Sequence, residues 1–270
     1  MRVYVPSMKR AGQLADRIMT NTYIKEATYV VPEDELGRYR TQLGFMKGDY
    51  EVVGCSAVGI AATRLWIGQL ARKRREKSFC MMDDDLKFAR RNRPTGLELI
   101  PCDKQDIQEM LTWMDERLQS YVHVSISTRD KNHTIGVREL SSELWAENGR
   151  TLRILAYQTD KFLAMKHGRV EVMEDFDVNL QLLRAGHSNI TSFYWSNDQR
   201  ETGTKGGCSE YRTLEVHEAS ARRLIELHAP FVTPRVKTTK ARGKDAGKLA
   251  TRLEVTIQWK KAFASSQGQD

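Results

Sequence analysis

The sequence predicts an α/β fold, a mostly parallel mixed sheet flanked by helices. Three observations carry that expectation. Short apolar, β-branched runs alternate along the chain with segments of helical period. Those runs are continuously apolar, as strands covered on both faces are. With 270 residues, 40% hydrophobic and 29% charged side chains, the chain can bury a large core without disulfides and is too apolar for wholesale disorder.

Taken in order, RVYVP, ATYVVP, YEVVGCS and KSFCMMD read as strands, with GQLADRIMTNTYIK and AVGIAATRLWIGQLARKRRE as helices between them. In the second helix Val58, Ala61, Ala62, Leu65 and Trp66 make an apolar stripe. The basic run from Arg72 suits the negative end of that helix. YVHVSISTR is a further strand through Val122, Val124 and Ile126, ending at Ser127, Thr128 and Arg129 before the polar loop DKNHT. TLRILAYQTDKFLAM adds strand material. GRVEVMEDFD runs into a helix with the stripe Phe176, Leu180 and Leu183, stopped by Gly186. ITSFYWS is one more strand, followed by the Gly-rich NDQRETGTKGG. Leu253, Val255, Ile257 and Trp259 alternate with polar residues and predict a half-buried strand, with FVTPRVKTT as its hairpin partner and KARGKDAGK as a cationic loop. The final SSQGQD reads as disordered. This divides the chain into a main domain, 1–234, and a basic C-terminal hairpin and tail, 235–270.

Charge is unevenly placed. The chain has 43 Lys plus Arg against 35 Asp plus Glu, a formal charge of +8. Nine of the basic side chains fall within 235–261, opposed only by Asp245 and Glu254, so attraction to a polyanion concentrates there. No apolar run approaches the roughly 18 residues of a membrane helix, and the start MRVYVPSMKRAGQ is too short in apolar residues for a signal peptide. Membrane partners and secretion are therefore not expected. Cys55, Cys80, Cys102 and Cys208 form no CxxC pair and read as buried free thiols.

The sharpest chemical signal is FCMMDDDLKF, an apolar strand running into Asp83, Asp84 and Asp85. Adjacent carboxylates repel, and burying one unpaired is costly. A divalent cation resolves the conflict, and an oxygen-only site suits Mg²⁺ or Mn²⁺ with substrate phosphates. Strand alternation turns Asp83 and Asp85 towards the metal and Asp84 away, towards the sugar of a nucleotide. An acidic turn with capping aspartates is the alternative. No GxxxxGK[ST] phosphate loop exists, which argues against a P-loop phosphoryl transferase.

On these residues a resemblance rests. RVYVPSMKRAGQ, VVPEDELGRY, the GIAATRLWI helix and FCMMDDDLKF, in that order, resemble the TET/JBP-associated glycosyltransferases over roughly residues 1–234. That family is encoded mainly by bacteriophages and has a GT-A-like fold with a DxD motif. The resemblance implies a metal-dependent transfer of sugar from a nucleotide-sugar, a UDP-sugar, to 5-hydroxymethylcytosine or another hydroxymethylpyrimidine in DNA. It implies a location in the cytoplasm, the host's if the chain is phage-encoded.

The resemblance also assigns residues. Pro6, Ser7, Lys9 and Arg10 after the first strand hold the nucleotide, and Glu33, beside Pro32 and Asp34, lies near the uracil or ribose. Gly59 permits close approach, and Arg64 holds a phosphate or sugar hydroxyl or instead pairs with an aspartate of the triplet. Asp175 is the preferred catalytic base, with Glu174 second. A late histidine, His217 or else His228, joins the metal shell. Lys205, in the Gly203–Gly207 loop, neutralises the donor diphosphate. Charge placement, not the resemblance, makes Arg129, Arg235, Lys237, Lys240, Arg242, Lys244 and Lys248 the residues expected to contact DNA phosphates. Tyr194 and Trp195 are candidates for stacking on a base, with core packing the competing fate. The other function classes the sequence allows are transfer to a protein or saccharide, a metal-dependent nucleotidyl or phosphoryl transferase, and a non-catalytic DNA-binding protein.

Overall fold

The computed structural model describes residues 1–16, 24, 26–46, 48–93, 96, 98–134, 144–199, 207, 211–240 and 249–268. The N-terminal half contains β1 (Arg2–Pro6), β2 (Ala27–Pro32), α1 (Leu36–Gly44), β3 (Glu51–Cys55), α2 (Ile60–Lys73) and β4 (Ser78–Met82). These strands lie in the order β3-β2-β1-β4, all parallel, with Tyr4 level with Thr28 on one side and Met81 on the other. The chain winds outward from β1 to β3, then α2 carries it back across β1 to β4. Strand order therefore reverses between β1 and β4, the place where open α/β sheets take their ligands.

The second half contains β5 (Leu86–Arg91), β6 (Leu99–Pro101), α3 (Lys104–Arg117), β7 (His123–Thr128), α4 (Arg129–Thr134), β8 (Trp145–Glu147), β9 (Ile154–Gln158), α5 (Thr159–Leu163), α6 (Glu174–Arg184) and β10 (Asn189–Gln199). It extends the sheet as β4-β9-β7-β10-β5-β6, with β8 also on β10. β9 runs antiparallel to both β4 and β7, whereas β7 and β10 are parallel. Alternation on β1 shows how the sheet is covered. Val3 and Val5 face one cluster with Tyr29, Cys80, Met82 and the Met110–Met114 stripe of α3. Tyr4 faces the other, with Phe79, Met81, Ile67 of α2, Phe162 of α5 and Val178 of α6. Cys55, Cys80 and Cys102 are buried free thiols, and Cys208 lies outside the described residues.

The C-terminal elements are α7 (Leu214–His228), β11 (Val232–Lys240), β12 (Leu249–Ile257) and α8 (Trp259–Ala264). β11 and β12 form the expected antiparallel hairpin, with Arg235 opposite Glu254 and Lys237 opposite Arg252. The loop 241–248 lies outside the described residues. Leu253, Val255 and Ile257 pack against a cluster of Leu180, Ala221, Leu224, Val232 and Ala262. The hairpin is thereby seated on α6 and α7.

Several expectations are corrected. Val58 is 91% exposed, because Gly59 (φ 84°) turns the chain and α2 starts only at Ile60. The buried face of α2 is instead Arg64, Ile67, Gly68 and Ala71. DKNHT is helical within α4, and TDKFL forms α5 rather than strand. Strand β12 ends at Ile257, and Trp259 opens α8 and packs edge-on against Phe176 at 5.6 Å between ring centroids. Within SSQGQD, expected to be disordered, Ser265–Gln267 forms a 3₁₀ turn; residues 269–270 lie outside the described residues. Of GQLADRIMTNTYIK, a 3₁₀ turn at Ala11–Asp16 is described. Trp195 is buried beside Trp113 at 5.8 Å and is therefore core, while Tyr194 is half-buried.

α2 and α5 touch where Gly68 faces Phe162. A Cβ on Gly68 would lie 2.6 Å from the Phe162 ring and 3.2 Å from Leu163. Gly68→Val is expected to cost about 1–3 kcal/mol by overpacking. An unchanged urea midpoint would contradict this close approach.

Candidate active site

The crevice at the β1/β4 reversal is lined by charged groups. β4 ends at Met82, and Asp83, Asp84 and Asp85 form the turn into β5, so strand alternation does not govern their directions. Asp84 and Asp85 are only 3% and 4% exposed. Asp84 accepts hydrogen bonds from Ser7 Oγ and from the Arg10 guanidinium. Arg10 also reaches Asp85 Oδ2 at 3.3 Å, and Gln199 Nε2 donates to Asp85 Oδ1 at 3.0 Å. Behind them, the Tyr39 hydroxyl lies 2.8 Å from Ser7 Oγ and accepts from the Arg10 backbone N–H at 3.1 Å. With the Ser7 proton directed to Asp84, Tyr39 donates to Ser7.

Asp83, half-buried, has a different guanidinium as its partner. Its carboxylate meets Arg64 Nη2 at 3.4 Å, and its backbone N–H donates to the Arg153 carbonyl at 3.0 Å. Arg64 bonds simultaneously to Glu174, the first residue of α6. One buried guanidinium thus joins the acidic turn to the N-terminus of α6. Asp175, the next residue, remains half-buried rather than buried, and its Oδ1 accepts the Phe176 N–H at 3.0 Å.

Electrostatics follow from burial. Desolvation raises the Glu174 carboxyl to about 7, against the lowering pull of Arg64 and with Asp175 adding to the rise. Asp83 is pushed up to about 6 by desolvation, opposed by Arg64 and helped by Asp85 and Asp84. Burial alone weakens a guanidinium's hold on its proton. The facing carboxylates more than offset this for Arg10 and Arg64, whose proton affinities rise.

Ser7, Arg10, Arg64, Asp83, Asp84, Asp85 and Glu174 are therefore brought together, with Asp175 adjoining. Pro6 ends β1 immediately before Ser7. Lys9 has φ 55° and donates its backbone N–H to Glu35 at 2.7 Å. Glu33 begins a 3₁₀ turn after β2 and packs near Gly54. Gly59 caps α2, and the next backbone N–H, of Ile60, donates to the Tyr211 hydroxyl at 2.9 Å.

Each candidate histidine has a carboxylate outside the acidic turn as a neighbour. His217 Nε2 is 3.7 Å from Glu254 of β12. His228 Nε2 donates to Asp177 at 2.7 Å within a buried knot that includes Arg169. Arg129 opens α4 and is exposed, as are Arg235 and Lys237 on β11. The backbone of Lys240 ends β11. Lys205, Arg242, Lys244 and Lys248 lie outside the described residues.

Tyr39, Gln199 and Arg153 are site-forming residues that the sequence did not single out. Tyr39 and Leu43 are the buried i, i+4 pair of α1, a signal available in VVPEDELGRYRTQL. Gln199 and Arg153 carry no local signal.

The class these features define is an α/β protein with an acidic, arginine-clasped crevice at a strand-order reversal. A family model described as TET-Associated Glycosyltransferase matches residues 1–207, well over half the chain. The chain belongs to that family and is a glycosyltransferase. The matched stretch holds the acidic turn and the start of α6, and ends before α7 and the hairpin. No curated protein matches the sequence. Among solved structures, glucosyl-3-phosphoglycerate synthase from Mycobacterium tuberculosis, in complex with Mn²⁺, uridine diphosphate and glucosyl-3-phosphoglycerate, aligns with TM-score 0.46. Its identity is 9%, over 93% of this chain and 88% of that one. A 4-diphosphocytidyl-2C-methyl-D-erythritol synthase from Anaerococcus prevotii aligns with TM-score 0.44 and 10% identity, over 76% of this chain and 90% of that one. A cytidylyltransferase from Leptospira borgpetersenii aligns with TM-score 0.34 and 9% identity, over 61% of this chain and 64% of that one. These likenesses are too distant to carry an argument about substrates.

Proposed function

We propose that this glycosyltransferase moves a sugar from a UDP-sugar to the hydroxymethyl group of 5-hydroxymethylcytosine, or another hydroxymethylpyrimidine, in DNA, with Mn²⁺ or Mg²⁺ at the acidic turn. The observation that carries the reading is the junction made by Arg64. It ties the carboxylates at the β1/β4 reversal to the helix that presents Asp175.

The donor set suits a hard divalent cation. It is oxygen-only: Asp83, Asp84, Asp85 and Glu174 bring four carboxyl groups to this region, beside the guanidiniums of Arg10 and Arg64. Asp83 and Asp85 are the residues that would hold it. When bound, the ion supplies neutralisation of the departing diphosphate.

The chain's own residues do the rest. Ser7 and Tyr39 fix Asp84, and Arg10 brings positive charge to the nucleotide side of the crevice. Arg64 holds Glu174 and so sets the first turn of α6, where the positive end of the helix favours a carboxylate. Asp175, more accessible than Glu174, takes the proton of the acceptor hydroxyl as its oxygen attacks the anomeric carbon and the bond to the diphosphate breaks. A base within a duplex must be flipped out to reach this crevice, at a cost of a few kcal/mol. Phosphate contacts from the hairpin offset that cost. Arg235 and Lys237 are exposed on β11, open to a polyanion. No helix among the described residues is long and apolar enough to cross a membrane.

Two measurements test the reading. Chelation should abolish donor turnover and Mn²⁺ restore it; turnover indifferent to chelator contradicts a metal at the turn. Reversing Arg235 and Lys237 to glutamate should weaken DNA binding and flatten its log–log salt slope by about 0.9 for each phosphate no longer neutralised. A slope equal to that of the unaltered protein removes the hairpin from the interface.

A further inference from the structure

The proposed chemistry gives Arg10 only a general electrostatic role, whereas its position is specific. Arg10 leaves the carboxyl end of β1, crosses the reversal point, and places one guanidinium on both Asp84 and Asp85. Its side chain is only 10% exposed. It is held at both ends, because its backbone N–H is fixed by Tyr39 while Ser7, bonded to the same tyrosine, shares Asp84 with the guanidinium. Gly207 lies against the guanidinium, so that a Cβ there would come 3.1 Å from Cζ, and the Gly207 N–H is bonded to the Met8 carbonyl at 2.9 Å. Among the described residues no group of three acidic, histidine or cysteine side chains converges on one point. The carboxylates of Asp84 and Asp85 converge on Arg10 instead.

A guanidinium and a divalent ion cannot share these two carboxylates without strong repulsion at a few ångströms in a partly desolvated crevice. The geometry points to Arg10 as the resident counter-cation of the acidic turn, which yields Asp85 to a divalent metal only when a nucleotide diphosphate draws the guanidinium away. Metal and nucleotide then bind cooperatively through one side chain that exchanges an internal carboxylate for a substrate phosphate. Each ligand raises the affinity for the other by the same factor. The guanidinium is suited to both partners, since its planar fork matches carboxylate and phosphate alike. This inference rests on the acidic turn being a metal–nucleotide site.

The test uses the full chain and Mn²⁺, whose free ion is counted by its electron paramagnetic resonance signal, with UDP as the nucleotide probe. Arg10→Gln should bind Mn²⁺ alone at least tenfold more tightly than the unaltered protein. Arg10→Lys, which keeps the charge, should stay within threefold of it. The gain in UDP affinity on adding Mn²⁺ should be smaller in Arg10→Gln. Because removing Arg10 uncovers Asp84, that variant is expected to melt lower, and Mn²⁺ should raise its Tm by more than it raises that of the unaltered protein. If Mn²⁺ binds the unaltered protein with UDP present, yet Arg10→Gln gains neither affinity nor Tm shift, the counter-cation role is overturned and the metal site stands. If Mn²⁺ binds neither protein even with UDP, the metal site itself is wrong, and this inference falls with it.

Discussion

Asp175→Asn is expected to slow glycosyl transfer by about 10²–10⁴-fold, the range a positioned general base contributes, while leaving UDP affinity within threefold. The two acids that open α6 are not equivalent. Glu174 is buried and bonded to Arg64, so its carboxylate is committed to holding the crevice together. Asp175 is more accessible, and its Oδ1 accepts a short-range bond from the Phe176 N–H. Asparagine keeps the size of the side chain and the oxygen that accepts this bond, so the fold should be untouched and the loss should fall on the chemical step. Single-turnover transfer, paired with calorimetric titration of UDP, separates the two. Transfer within threefold of the unaltered enzyme would dismiss Asp175 as the base.

Arg64→Met should produce the largest loss of stability, and the loss should depend on pH. Removing one partner of a buried ion pair leaves uncompensated charge and typically costs about 3–5 kcal/mol. Here the stranded groups are Glu174 and Asp83, whose carboxyls burial has already raised to about 7 and about 6. A carboxyl whose folded value is raised binds its proton more tightly in the native state than in the unfolded chain. Its contribution to stability therefore diminishes as pH climbs from the ordinary carboxylate range through the raised value. Arg64 is the main influence holding both values down, so its removal moves them higher. The variant should come close to the unaltered protein near pH 5 and fall furthest behind near pH 8. Urea unfolding at four pH values between those limits reads this directly. A stability difference that does not change with pH would show that Arg64 acts only by filling space.

Much of the scaffold was legible because its signals are contiguous. The runs that became β1 to β4 are apolar and β-branched, and Asp83–Asp85 follow one of them without a gap. The C-terminal hairpin was readable from the alternation of Leu253, Val255 and Ile257. α2 shows where pattern reading fails. Leu65 and Trp66 looked like its buried stripe, but the buried position beside them belongs to Arg64, a charge placed inside because two acids from other elements meet it there. No local rule anticipates that.

The same holds for the clasp. Arg10 and Asp84 are 74 residues apart and Gln199 and Asp85 are 114 apart, so only the folded sheet brings them into contact. Other omissions had usable signals. α3 begins with a reciprocal capping box between Asp103 and Asp106, and α7 with Thr213 bonded to the Val216 N–H. Ser265–Gln267 of SSQGQD, expected to be disordered, continue α8 as a 3₁₀ turn, and α8 itself is anchored by Trp259 and Ala262 against α6 and its neighbours.

The central claim is that the acidic crevice delivers a nucleotide-bound sugar to a hydroxymethylated base. Duplex and single-stranded DNA containing 5-hydroxymethylcytosine, and matched unmodified DNA, should be incubated with the full chain, Mn²⁺ and a panel of nucleotide-sugars, then digested to nucleosides for mass spectrometry. The predicted result is a nucleoside heavier by one sugar residue, formed with at least one donor and only from hydroxymethylated DNA. Unmodified nucleosides across the whole panel, alongside turnover of the same donors onto another acceptor, would contradict it.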